Sequence, residues 1–366
     1  MQLLRVRVPN FRALKDVDIT FEKDFVPQIF PLGSLNGGGK STLLQLIFIL
    51  LHGWSRAPYI DVILEHVAID KFGEIATFDI WDGERVVSLK FIYHTVKSFD
   101  VLGVTSIPQY LRDNQLIQLA QRNHFFDQNE TKMLFCQSSF PGFLNRLTPN
   151  VFLAAPSSQV YFFLPPEERM SLFNVDGNYN DALDRAKKSL PGFFTYDAFS
   201  VAEIAKFFRT ARDMDFDEKV KTGHYGNHYD RMLPNINKIV AGKKVVPQLA
   251  DVSQRIHAPD KDLIDSIIFK TNDGAEIYPE DLSHGELKKL SIYAWLKANQ
   301  IKDSIVLMDE IENGFHPDWQ FQIVKELEAW EPSNQYILAT HSYELCTALT
   351  PSHVKELEPK LLSTPK

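Results

Sequence analysis

The chain has 366 residues, 44% hydrophobic and 23% charged, with 39 Lys+Arg against 47 Asp+Glu for a formal net charge of −8. This is an ordinary globular composition, long enough for two domains or for one domain with a large insertion, and its acidic balance argues against a surface that binds nucleic acid throughout. The longest apolar run, Leu43 to Leu51, is broken by Gln45 and is short of the ~20 residues a membrane span needs. The N-terminus has no apolar secretory block, and two cysteines, Cys136 and Cys346, do not make a disulfide framework. A cytoplasmic protein with no membrane partner is expected.

In chain order, "LLRVRV" and "VDITFE" alternate apolar and polar residues and predict two strands joined by "PNFRALKD". "FVPQIFPL" is a third β-like run that feeds into "SLNGGGKST", residues 34–42, and then into an apolar helix. Here Gly37, Gly38 and Gly39 let backbone N–H groups turn inward and approach phosphate oxygens, with Asn36 and Thr42 flanking them. Lys40 would reach the β- and γ-phosphates, Ser41 would ligate Mg²⁺, and the helix N-terminus would add its dipole. The pattern departs from the usual one at its first position, where Ser34 replaces glycine. The alternative is a glycine-rich turn capping a core helix.

"EIATFDIW" and "RVVSLKFIYH" around Asp82-Gly83 predict a hairpin. Residues 94–150 carry no clear period, and 150–169 predict a buried strand ending at Pro165-Pro166. From about 170 to 265 charged residues recur at helical spacing, with a Ser-x-x-Glu capping signature at 200–203. Within that segment "DMDFDE" begins like a calcium loop but has Glu218 where glycine is needed. His224 and His228 lack the glutamate of a zinc-protease pair, and "GKKVV" reads as a solvated basic spot. "IIFKTNDGAEIYPEDL" predicts another hairpin.

In "DLSHGELKK", Ser283 and Glu286 have capping-box spacing, so a helix should start at Ser283 with Gly285 beside it. That is an anion site with no lysine at its mouth; the bland reading is a well-capped helix. "SIVLMDEIENGFHP" predicts a buried strand, Ile305 to Met308, delivering Asp309 and Glu310 at its C-terminal end. Asp309 would bind Mg²⁺ and Glu310 would polarise the attacking water. "YILATHS" delivers His341 at the end of a further strand, where a γ-phosphate sensor would sit. A strand–loop–helix unit near the start and more such units near the end imply a parallel sheet with an insertion between its halves.

The order "SLNGGGKST", "LSHGE", "VLMDE", "ATHS" resembles the ATP-binding cassette class, in which these motifs are Walker A, signature, Walker B and switch histidine. Within that class "RVRVPNFRALKDVDITF" and "DEIENGFHP" resemble the RecF, SMC and OLD-type AAA family ATPases. The resemblance is close over residues 1–50 and 275–345, loose over 65–95 and 150–169, and slight over 170–265. It implies an α/β fold, a P-loop sandwich of a mixed parallel sheet and an antiparallel β subdomain with a mostly helical insertion. The implied parts are residues 1–169 and 266–366 as the halves of the cassette, with 170–265 inserted between them.

The resemblance also implies that two copies dimerise head to tail around ATP and Mg²⁺, with Lys40 of one facing Ser283 and Gly285 of the other. Asn313 to His316 would then line the seam, and Gln159 is the candidate glutamine for Mg²⁺. OLD-type proteins carry a nuclease domain after the ATPase, but this chain ends 25 residues after His341, so a separate effector is expected, a nuclease as in Septu-like antiphage systems. Two further readings stay open. One is a RecF-like repair ATPase binding DNA at its dimer face, and the other a nucleotide-binding scaffold with little turnover.

Overall fold

The computed structural model describes residues 1–34, 37–52, 57–65, 73–95, 106–124, 127–164, 169, 181, 185, 190–196, 200–240, 243–247 and 267–357. The described residues form two compact units, one comprising 1–194, 302–313 and 317–366, the other 195–301 and 314–316.

The first unit opens with a hairpin of β1 (Gln2–Phe11) and β2 (Leu14–Thr20). Its turn is only Arg12 and Ala13, much tighter than the eight-residue connection expected, because Phe11 and Leu14 pair across the ladder and both are buried. β3 (Ile29–Gly33) follows, then α1 (Lys40–Leu51) and α2 (Ala57–Glu65). From Leu43 to Leu51 every residue of α1 is buried, which is why its sequence is apolar on all sides rather than along one stripe. β4 (Gly73–Trp81) and β5 (Val86–Thr95) form the expected hairpin around Asp82-Gly83.

The segment without a readable period holds α3 (Ile107–Asp113), β6 (Leu116–His124), β7 (Asp127–Ser138) and α4 (Phe143–Leu147). β1, β2 and β4–β7 make an antiparallel sheet in the order β2-β1-β4-β5-β7-β6. Its apolar face includes Phe78 and Phe91, in edge-to-face contact at 5.7 Å.

β8 (Val151–Ala155) ends before Pro156, not at Pro165-Pro166 as expected, and Ser157–Phe163 coil into a 3₁₀ turn. The apolar run continues past the strand because Phe163 packs on Phe48 and Phe193. β9 is Phe193–Thr195.

The second unit contains α5 (Ser200–Thr222), α6 (His228–Ile239), β10 (Lys243–Pro247), β11 (Ile267–Thr271), β12 (Glu276–Ile277) and α7 (His284–Ala298). Among the described residues of 170–265, α5 and α6 are helical and β9 and β10 are strands. "GKKVV" is not a free basic spot, since β10 pairs with β11 in a three-stranded antiparallel sheet. The calcium-like run lies inside α5, where the Asp215 carboxylate caps α6 by accepting from the N–H groups of His228 and Tyr229 at 2.6 and 3.0 Å. His228 faces Glu218 at 3.7 Å.

The chain returns to the first unit with β13 (Ile305–Asp309), α8 (Pro317–Trp330), β14 (Gln335–Ala339), α9 (Tyr343–Thr347) and β15 (Lys355–Glu356). The resulting sheet has the order β15-β3-β14-β13-β8-β9, and every pairing from β15 to β8 is parallel. The two sheets of this unit are stitched by a buried amide: Gln335 accepts from the Leu3 N–H at 2.7 Å and donates to the Leu3 carbonyl at 2.9 Å. This is the mixed α/β sandwich, a parallel sheet with an antiparallel β subdomain, that the resemblance implies.

Candidate functional site

Because β3, β14, β13 and β8 run parallel, their C-terminal ends share one edge of the sheet, the place where such folds deliver ligand-binding groups. β3 ends at Gly33 and leads to the glycine loop, β13 ends at Asp309, β14 ends at Ala339 just before His341, and β8 ends at Ala155 just before Gln159.

The glycine loop turns through left-handed backbone at Gly37 (φ 79°) and Gly39 (φ 89°). At Gly39 a Cβ would also lie 2.7 Å from Leu14 Cδ2, so glycine is required there on two counts. Asn36 lies outside the described residues. Gly38 is buried, and Thr42 is half-buried in the first turn of α1. Lys40 is only 6% exposed. Its Nζ donates to the Ser34 carbonyl and to Ser34 Oγ, both at 3.0 Å, and lies 3.5 Å from His341 Nδ1. Burial lowers its pKa, and the carboxylates of Asp309, Glu312 and Glu310 act against that shift.

Asp309 is 2% exposed. Burial pushes its carboxyl up to about 7, Glu310 and Glu312 push the same way, and the hydrogen bond from Ser41 together with the charge of Lys40 opposes them. Glu310 has a left-handed backbone (φ 51°), an uncommon state for a non-glycine residue and one found at functional sites. It is pinned there by its own N–H donating to the Ala339 carbonyl at 2.9 Å, while Asn313 Nδ2 donates to its Oε2 at 2.6 Å. Gln159 accepts a hydrogen bond from Gln45 of α1. The structure thus brings together Lys40, Ser41, Asp309, Glu310 and His341, with Gln159 against the helix that Lys40 begins.

One residue of this edge was not singled out from sequence. Glu312 is 5% exposed, its Oε1 accepts the His341 N–H at 2.6 Å, and its Oε2 is buried with no hydrogen-bond partner. The signal was present as the third carboxylate of Asp309-Glu310-Ile311-Glu312.

Ser283 and Gly285 belong to the second unit. Ser283 is the N-cap of α7 and forms the expected reciprocal box, accepting from the Glu286 N–H at 3.4 Å while Glu286 accepts from the Ser283 N–H at 3.1 Å. Glu286 also receives Lys243 Nζ at 2.5 Å. Its burial works against ionisation, but the bonds from Lys243 and Ser283 win and hold its carboxyl below the ordinary value.

Among the described residues no three His, Cys, Asp or Glu side chains form a metal cage. The Ser41 hydroxyl and the Asp309 carboxylate instead offer the sparse, oxygen-only donor set of a hard cation that is shared with phosphates.

A profile of the family described as "AAA domain, putative AbiEii toxin, Type IV TA system" matches residues 162–347. The protein described as "Retron Vc95 probable ATPase" of Vibrio cholerae serotype O1 biovar El Tor is 30% identical over 146 residues, 37% of this chain and 28% of that relative's length. Among solved structures, an SMC head domain from Thermotoga maritima aligns at TM-score 0.46 and 10% identity, covering 95% of this chain and 92% of its own. The recombination mediator protein RecF aligns at TM-score 0.37 and 13% identity, covering 94% of each chain. The fold assignment rests on the strand topology above and not on these structural likenesses. With the family profile spanning 186 of 366 residues, the chain belongs to this AAA-domain family, within the ABC/AAA ATPase class that its four motifs resemble.

Proposed function

We propose that the chain binds ATP with magnesium and hydrolyses it to ADP and phosphate. The observation that carries this reading is the meeting of Lys40, Ser41, Asp309, Glu310 and His341 at one edge of the parallel sheet. On nucleotide entry Lys40 exchanges Ser34 for the β- and γ-phosphates, and the amides of the glycine loop and of the α1 N-terminus surround them. Magnesium, held through Ser41 and Asp309, supplies neutralisation of the charge that grows on the phosphates. Glu310 leaves Asn313 to orient the attacking water and take its proton. His341, next to Lys40, donates to the γ-phosphate, and Gln159, in the 3₁₀ turn that follows β8, would serve the cation and the water.

The site gains its remaining anion-binding group from a second copy. The α7 N-terminus at Ser283 and Gly285 presents N–H groups and no lysine of its own, which suits a head-to-tail dimer with ATP in the seam. We further assign the dimer a regulatory role over a separate effector, a nuclease, in cytoplasmic antiphage defence. A relative named for a retron and a family named for a toxin–antitoxin system support a multicomponent setting of this kind. The α5–α6 end is the surface offered to that partner, because Phe216, Val220 and Tyr225 are exposed there at 55%, 70% and 66%. Among the described residues no helix is long and apolar enough to cross a membrane.

The test is magnesium-dependent phosphate release by the purified chain, with and without linear duplex DNA, against Glu310→Gln. A rate lowered about 100-fold or more in the variant, with ATP binding kept, is expected for loss of the group that activates the water. Equal rates in the two proteins would remove the hydrolase reading. A rate that rises with DNA would move the RecF-like reading ahead of the protein-effector one.

A further inference from the structure

Glu312 is paradoxical as a purely structural residue. It is buried, one of its oxygens is well used by the His341 N–H at 2.6 Å, and the other has no donor. A buried acceptor without a donor is a standing cost, and for a carboxylate a large one, so native proteins keep such atoms where a ligand completes them. Its electrostatic neighbours are Lys40, Asp309 and Cys346. Asp309 keeps a proton only while the cation is absent and must give it up to bind one, Lys40 is committed to Ser34 and then to phosphate, and Cys346 keeps its proton but is a weak donor. The missing donor therefore has to arrive with the ligand, and it has to be compatible with a cluster of three carboxylates.

We propose that Glu312 is the outer-sphere carboxylate of the cation site: its Oε1 latches the backbone of His341, and its Oε2 accepts a hydrogen bond from a water carried by the divalent cation that enters with ATP. The assignment rests on the ATPase reading above. A magnesium-like cation gives up few of its waters and binds through one or two protein oxygens plus phosphate. Ser41 and Asp309 are those oxygens, and the remaining waters need acceptors in fixed positions. Glu312 supplies one, and by the same side chain it ties cation arrival to the position of His341. It acts as a positioning residue, since it touches neither the phosphates nor the attacking water.

The two oxygens can be tested separately. Glu312→Gln keeps a carbonyl oxygen for the His341 N–H and replaces the second acceptor by an NH₂ donor, whereas Glu312→Ala removes both. Manganese(II), visible by electron paramagnetic resonance, is titrated into each protein holding a non-hydrolysable ATP analogue, and hydrogen exchange is followed at the His341 amide. Glu312→Gln should weaken manganese binding about tenfold, within the range for lost outer-sphere partners, and leave cation-free nucleotide binding and His341 exchange unchanged. Glu312→Ala should weaken manganese binding as well and speed His341 exchange by tenfold or more. Unaltered manganese affinity in Glu312→Gln overturns the cation role whatever the alanine variant does, and faster His341 exchange in Glu312→Gln overturns the latch. Failure of the unsubstituted protein to bind the nucleotide analogue would instead sink the ATPase reading on which the inference stands.

Discussion

Ser34 stands where the phosphate-loop pattern has glycine, and its hydroxyl holds Lys40 Nζ at 3.0 Å beside the carbonyl of the same residue. The departure therefore sets a competing acceptor that nucleotide must displace. Ser34→Gly keeps the carbonyl and removes the hydroxyl. Titration with a fluorescent ATP analogue should show binding tightened about three- to tenfold, equivalent to ~0.7–1.4 kcal/mol, with kcat little changed; Ser34→Thr should behave as the parent. Asp309 carries the site's pH dependence. Its folded pKa of about 7 lies above the ordinary value of 3.8, so between those values the folded, cation-free protein binds more protons than the unfolded chain. Its stability must then fall as pH rises through that window. Thermal unfolding in chelator should show Tm declining from about pH 4 to pH 7, and Asp309→Asn should flatten that slope while abolishing cation binding.

Helix α7 shows how far local pattern reaches. Its capping box was readable because Ser283 and Glu286 are three residues apart and need no distant partner. Lys243 was not readable as the other half of that cap, because its position is set by β10 pairing with β11, Val245 opposite Phe269, across a long sequence gap. Lys243→Met leaves a largely buried Glu286 without its cation. This should cost about 1–3 kcal/mol, below the full penalty for a buried pair because Lys243 keeps some solvent contact, seen as a lowered denaturation midpoint and faster amide exchange in the first turn of α7. The same limit explains the other misses. β6 and β7 read as "LIQLAQRNH" and "DQNETKMLFCQS", with too many polar residues to alternate, and they are strands because β5 and one another supply their ladders. Phe163 is buried without lying in a strand, since it packs on Phe48 and Phe193 while Tyr161 in the same 3₁₀ turn is exposed. The strands that end in chemistry were legible because burial on both faces writes them as continuous apolar runs, and Glu310's left-handed backbone was not, because nothing in its side chain announces it.

At the scale of the molecule, the head-to-tail arrangement proposed above would make ATP a cross-linking ligand. Glu310→Gln should trap that state: in light scattering after gel filtration with Mg-ATP it should run at twice the mass of the 42.0 kDa chain. A further Ser283→Arg change, which blocks the α7 N-terminus, should return it to the single mass. A single mass for Glu310→Gln at saturating ATP would count against the head-to-tail arrangement. The strand order β15-β3-β14-β13-β8-β9 has a consequence for how the chain is made. β3 and β8 emerge from the ribosome before the strands that lie between them, β14 and β13. Until β13 and β14 are out, β3 and one edge of β8 lack their central partners, a state prone to pairing with the wrong chain. Synthesis of this protein should thus lean on chaperones that shield nascent strands, and a stalled ribosome short of β14 should release an aggregating fragment, whichever reaction the finished site performs.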